Sequence, residues 1–383
     1  MLSRGEGQVD FIQALRGCAA LAVVMYHYRI GIAGPDYLDA GPRLFSNGAA
    51  GVDLFFVISG FIMVHTTRRL DGGVRDAGRF FVRRITRIWP VYVLLTFALL
   101  VAEGTLAKYT TTHEGLISLA RAFMFRPENA SGPPWFGWAP NGVGWTLNYE
   151  VWFYLLFAVS LLCVKRWRWP VLIGLFLVFN IAAPYLLVGE FSWSVYASYH
   201  LKPVILNLGA SNMALEFLAG AMIGWLYHSS VRIRHRDFLV GFAAFAVVTV
   251  LCLQISDVGF NHHGLFGYGG PMVVMVLALA LLDRESTLRV PRVLVWLGDI
   301  SFSLYLIHKV VQFGFPKLLP AGMWQWGLAH VIMCLAVSLV LSHLSYRVLE
   351  QGLAAKLQHW LVKKPGAPAA SADGQALSSR RAS

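Results

Sequence analysis

Charge is scarce in this chain. Only 14% of its 383 residues are Asp, Glu, Lys or Arg, against 57% hydrophobic residues, and the mean hydropathy is +0.58. An ordinary soluble domain carries about twice that share of charge, so the composition excludes one and indicates an integral membrane protein. Cysteine is scarcer still. Cys18, Cys163, Cys252 and Cys334 all lie in apolar stretches, with no CxxC and no His/Cys ligand spacing, so neither a disulfide framework nor a zinc site is supported. Acidic residues are outnumbered 20 to 32, for a net charge of +12. Such an excess suits nucleic acid until the basic residues are located. They sit mostly between hydrophobic runs, which makes the bilayer the expected partner and nucleic acid an unexpected one. No small-residue cleavage site follows the first apolar run, which is too long for a signal-peptide core and is interrupted by Arg16, so it is expected to stay in the mature protein. A convincing internal repeat, common in transporters, is also absent.

Ten runs of spanning length are present, at about 10–29, 49–66, 87–102, 143–164, 169–188, 205–228, 238–255, 268–282, 294–314 and 323–345. With a cytoplasmic N-terminus the inner loops collect sixteen arginines and lysines, among them Arg83, Arg84, Arg87, Arg166, Arg234 and Arg289, and the outer segments collect seven. The positive-inside rule then predicts an all-α bundle of about ten transmembrane helices with both termini cytoplasmic, a multi-pass protein of the cell inner membrane. The membrane domain is expected to cover 1–350, followed by a basic amphipathic segment at 351–364. A small, polar, proline-containing tail at 365–383 is expected to be disordered.

The first run, DFIQALRGCAALAVVMYHYR, carries the pattern that matters most. Arg16 and His27 are eleven residues apart. At about 100° and 1.5 Å per residue they leave the same helix face roughly 16 Å apart along the axis. Ionisable groups at such depths are costly and mark functional sites by default. On the predicted topology His27, Asp53 in the second run, Glu150 in the fourth and His308 in the ninth share an outer layer. Arg16 and the cluster Arg83, Arg84 and Arg87 belong to the inner side. A histidine beside carboxylates suits general-base chemistry, and surface arginines suit phosphate groups. Glu150 can equally neutralise a buried arginine, and the arginine cluster can serve only as a positive-inside anchor. Asn148, Ser303 and Tyr305 are the polar substrate-site candidates of the fourth and ninth runs. His262 and His263 lack an obvious third ligand, so no metal is expected there. Asp299 and Glu216 read as caps or packing partners, and Gly220 with Gly224 as a helix-packing GxxxG. The loop 103–142, with Trp135 and Trp138 among prolines and glycines, suits either a lid or glycan-facing surface or an interfacial aromatic belt.

The Arg16–His27 spacing, GVDLFFVISGF at 51–61, RRITRIWP at 83–90, WTLNYEVWFYLLF at 145–157 and SFSLYLIH at 301–308 together resemble the acyltransferase-3 family of membrane acyltransferases. The second and fourth of these are most similar to the ExoZ-like exopolysaccharide-production branch. The resemblance spans about residues 8 to 350. It implies transfer of an acyl group, usually acetyl, from cytoplasmic acyl-CoA to a hydroxyl of a cell-surface glycan or its lipid-linked precursor. Acyl-CoA would be a donor substrate, no cofactor would be bound permanently, and polysaccharide-assembly machinery would be the protein partner. On the matching positions it implies that His27 and Arg16 are the essential pair, that Arg84 and Arg87 belong to the acyl-CoA site, and that Glu150 is the motif acid. The reading RVLEQG after the last run departs from the family pattern, in which a proline often follows that glutamate. The SGNH-type hydrolase domain attached in some members is not expected here, so the transfer is expected to be done within the membrane domain. Two other classes stay open: a transporter with a buried ionisable relay, and a non-enzymatic scaffold.

Overall fold

The computed structural model of the chain describes residues 8–32, 40–233, 235–256, 262–319 and 327–362. Arg234, the start of the tenth run and the 365–383 tail lie outside the described residues. Among those described there are helices and no strands. The principal ones are α1 (Asp10–Tyr28), α2 (Gly51–Thr67), α3 (Val74–Glu103), α4 (Trp145–Leu161), α5 (Lys165–Leu177, prolonged to Val188) and α6 (Ala214–His228). They are followed by α7 (Arg236–Ile255), α8 (Gly270–Ser286), α9 (Arg292–Asp299), α10 (Ser301–Gly314) and α11 (Leu328–Ser345, prolonged to Leu361).

Among the described residues, six of the ten expected runs are helices long and apolar enough to cross a membrane, and a seventh joins them if α9 and α10, bent by 68°, count as one broken span. The other three runs are helical but fall short of a plain span. Helix α4 has 17 residues, and α6 has 15 because the chain breaks after the short helix Leu206–Ala210. Helix α1 has 19 residues but carries Gln13, Arg16 and His27. The last helix runs past position 350 through a π-helical turn, Tyr346–Ala354, to Leu361.

Helices α1 and α2 form the centre. Helix α1 is flanked by α2, α9 and α10, and α2 is pressed against α6. Small residues allow both approaches. A Cβ on Gly220 would stand 1.8 Å from the Val57 carbonyl oxygen, and one on Gly298 would stand 2.0 Å from that of Gln13. One apolar cluster joins α1, α3, α4 and α10, and a second joins α2, α7 and α8. The loop expected at 103–142 contains two short helices, Leu106–Thr111 and His113–Phe123.

Candidate active site

The chain folds its basic motif into a groove at one end of the bundle. Arg79, Arg83, Arg84 and Arg87 of α3 face Thr66 and Thr67 at the end of α2, and Tyr346, Glu350 and Gln358 of the last helix, around a cavity of about 530 Å³. Spacings of three and four residues put these arginines on one helix face. Arg84 donates to Thr66 Oγ1 at 2.9 Å, and its guanidinium carbon lies 5.5 Å from the centre of the Phe80 ring and 5.8 Å from that of Tyr154.

A smaller cavity of about 80 Å³ is a neighbour of the groove, and Arg84 and Arg87 line both. Beside the two shared arginines its polar lining is Arg16 from α1, Ser59 from α2, Thr146, Glu150 and Tyr154 from α4, and Ser301 and Tyr305 from α10. Its apolar wall includes Phe55, Ile62, Met63 and Phe302. The Tyr154 hydroxyl donates to Glu150 Oε1. Arg16 donates to Gln13 Oε1 at 2.8 Å, and Gln13 in turn donates to Asp299 Oδ1 at 3.0 Å, so Asp299 steadies the arginine at one remove. Ser301 Oγ is buried and has no partner among the described residues. Tyr305 closes the far end, with its hydroxyl 2.9 Å from Thr146 Oγ1 and 3.0 Å from the Val143 carbonyl oxygen.

One turn beyond Tyr305 on α10 stands His308, the two ring centres 6.1 Å apart. His308 Nε2 is 3.2 Å from His27 Nδ1. The tautomers follow from the carbonyls. His27 Nδ1 lies 2.9 Å from the Val23 oxygen and His308 Nδ1 lies 3.2 Å from the Leu304 oxygen. A carbonyl only accepts, so in the neutral rings both protons sit on Nδ1, and His308 Nε2 accepts from His27 Nδ1–H. His27 Nε2 is left as a lone pair with no hydrogen-bond partner among the described residues, the form a base or nucleophile needs. Gln312 donates to the His27 carbonyl at 2.9 Å and accepts from Lys309 Nζ at 2.8 Å, which sets an ammonium beside the pair.

Thus Arg16 and His27 both face α10, as their spacing predicts, one beside Ser301 and the other beside His308. The expected outer layer of four residues divides, however. Glu150 joins the arginines. Asp53, fully buried, accepts from Gly264 N at 2.8 Å and pairs at 2.7 Å with His263 Nδ1, so neither carboxylate is the ring partner of His27. Depth along a helix fixes the layer but not the direction in which a side chain leaves. Ser303 is tied into the α10–α11 contact, 2.9 Å from Ser345 Oγ and donating to Glu350 Oε1 at 2.6 Å. Asn148 is buried and does not line the cavity. Arg83 lines the groove alone.

Sequence reasoning missed Tyr154, Lys309, Glu350 and the His263–Asp53 pair as parts of a site. Tyr154 was detectable, since it stands four residues after Glu150 on the same helix face. Glu350 carried a weaker signal, an acid just beyond the last apolar run.

Residues 9–343 match the acyltransferase-3 family, described as an acyltransferase domain. The exopolysaccharide production protein ExoZ of Rhizobium meliloti is 36% identical over 273 residues, which cover 69% of this chain and 76% of that protein. Nodulation protein 10 of Rhizobium leguminosarum is 27% identical over 337 residues, 82% of this chain and 84% of that one. The peptidoglycan O-acetyltransferase OatA of Listeria monocytogenes is 23% identical over 367 residues, and the chain spans 55% of its length. No solved structure matches. A family match over nearly the whole helical chain and the identity to the first Rhizobium protein lead to one conclusion: this chain belongs to the acyltransferase-3 family and is a membrane O-acetyltransferase.

Proposed function

We propose that the enzyme moves an acetyl group from cytoplasmic acetyl-CoA to a hydroxyl of an exopolysaccharide or other cell-surface glycan, or of its lipid-linked precursor. The observation that carries this reading is that Arg84 and Arg87 line both the groove and the cavity, and that Tyr305 of the cavity lining stands one helical turn from His308. The phosphates of the donor suit the groove, because a guanidinium offers several fixed donors to phosphate oxygens. The smaller cavity suits the donor's thiol arm, an amide-containing chain. Its wall is largely apolar, and the buried Ser301 hydroxyl supplies the hydrogen bond that an amide needs. Glu150 offsets the charge of the surrounding arginines.

In the reaction the acceptor hydroxyl oxygen attacks the thioester carbonyl carbon while its proton passes to His27 Nε2. Collapse of the tetrahedral intermediate breaks the carbon–sulfur bond, and the proton passes from His27 to the departing thiolate. The products are the O-acetyl glycan and free CoA. His308 holds the His27 tautomer that can accept the proton, and Lys309 supplies positive charge beside it. The basic-residue asymmetry supports ten crossings with both termini cytoplasmic in a bacterial inner membrane, so that donor and acceptor meet from opposite faces. The ExoZ relationship favours a secreted polysaccharide as acceptor and its assembly machinery as the protein partner.

The test is acetate released by mild base from surface polysaccharide of a deletion strain complemented with wild type or with His27→Ala at matched protein level. Restoration by wild type alone is expected. Equal restoration by both removes His27 from the chemistry and reopens the scaffold and transporter readings.

A further inference from the structure

The end of the bundle opposite the arginine groove holds a further imidazole that the reaction described above leaves unused. His263 has its Nδ1 committed to the fully buried Asp53, whose other oxygen accepts from Gly264 N. Its Nε2 has no hydrogen-bond partner among the described residues, and 11% of the side chain stays exposed. Structural histidines usually satisfy both nitrogens, whereas one held by a carboxylate on one side and open on the other is oriented toward a ligand.

An aromatic surface adjoins it. The His263 ring lies 5.6 Å from Trp145, Trp145 lies 6.4 Å from Trp135, and Trp135 stacks on Trp138 at 5.5 Å and meets Tyr196 at 6.4 Å. Trp138 is 64% exposed and Tyr196 48%. These rings come mainly from two loops rather than from one lipid-facing helix, and the loops are fastened. The Tyr149 hydroxyl donates to the Pro134 carbonyl at 3.0 Å, and Ser198 donates to that of Ala130 at 3.1 Å. The surface also reaches toward the reacting pair. The His263 ring lies 5.8 Å from Tyr268, whose hydroxyl donates to Asn47 Oδ1 at 2.9 Å, and at the next residue a Cβ on Gly48 would stand 3.1 Å from that of Tyr26. The Tyr26 ring in turn lies 5.1 Å from that of His27.

A pyranose ring presents an apolar C–H face and an edge of hydroxyls. An indole or phenol face beside an oriented imidazole is complementary to both. We infer that Trp138, Trp135 and Tyr196 form the stacking floor of the acceptor-sugar site and that His263, held by Asp53, hydrogen-bonds a hydroxyl of the sugar. This assignment rests on the acyl-transfer reading and gives the acceptor half of the site its residues.

The primary variants are Trp138→Ala and Tyr196→Ala, because removing His263 would leave Asp53 buried with one partner fewer. The full chain in lipid nanodiscs is assayed with acetyl-CoA and with oligosaccharides cut from the de-O-acetylated surface polysaccharide of the host strain. Each variant is expected to raise the acceptor KM roughly fivefold, the size of a lost aromatic contact, while the acetyl-CoA KM stays within about twofold of wild type. Trp138→Phe should recover most of the loss. An unchanged acceptor KM, or an equal rise for donor and acceptor, overturns the assignment. If the wild type transfers no acetyl group, the function is wrong but the site is still read directly. The same oligosaccharides should then quench tryptophan fluorescence of wild type and not of Trp138→Ala, and absence of quenching in wild type refutes the sugar site as well.

Discussion

Helices α7 and α10 show two ways of living in the same bundle. Helix α7 has a mean hydropathy of 2.5 over an apolar stretch of which only 22% is buried, and no ionisable residue other than Cys252 follows Asp237 in it. Helix α10 is largely buried and carries Ser301, Ser303, Tyr305, His308 and Lys309. The polar side chains of α10 and α1 find partners across the helix contacts: His27 with His308, Gln13 with Asp299, Ser303 with Glu350. Chemistry has been placed where protein replaces lipid as the solvent, and exposed helices such as α7 are left to meet the bilayer.

That contrast breaks most visibly at the groove. Arg84→Ala removes a guanidinium that lines both cavities, and the acetyl-CoA KM should rise by roughly 10- to 100-fold, the range expected for losing charge-assisted phosphate contacts. Arg84→Lys should regain only part of this, since an ammonium lacks the planar fork. Titration of acetyl-CoA against initial rate checks both, and an unchanged KM in Arg84→Ala would return the arginines to a purely topological role. The α2–α6 contact should fail differently. In Gly220→Ala the new methyl meets the Val57 carbonyl oxygen, which should cost about 1–3 kcal/mol and lower the thermal midpoint while the KM of the surviving enzyme holds. A smaller effect belongs to Gln13→Leu, which unties Arg16 from Asp299. Here kcat should fall roughly threefold with little change in the midpoint, as for a residue acting through another.

The sequence carried the shared face of Arg16 and His27 because it depends only on helical periodicity, which α1 obeys over all three turns between them. The convergence of Arg84, Arg87 and Glu150 was half visible: the residues were singled out, but the acid was assigned to the histidine layer. Its cause is geometric. Axial depth can be counted from a helix end, whereas azimuth depends on which neighbours a helix acquires, and α2 turns Asp53 toward the 262–264 loop. Glu350 was hidden for another reason. The last helix continues through a π-helical turn beyond its apolar run, bringing the acid back to the groove from just past the point where that run ends. The helical class was plain from composition, while six helices among the described residues are plain spans because α4 and α6 are short, α9 and α10 are bent apart, and α1 carries Gln13, Arg16 and His27.

The smallest expected effect is the one that isolates the comparison. Phe245 lies in the middle of α7 with 70% of its surface exposed, so lipid surrounds it. Phe245→Leu exchanges one apolar side chain for another against hydrocarbon, with no cavity left behind and no partner lost. Stability should change by less than about 0.5 kcal/mol and acetyl transfer should stay at the wild-type rate, measured by thermal midpoint and CoA release in the same nanodiscs. A loss of transfer with an unchanged midpoint would mean that α7 takes part in catalysis through contact with another protein or a bound lipid. The division between a polar-threaded core and a passive outer helix would then have to be redrawn around that contact.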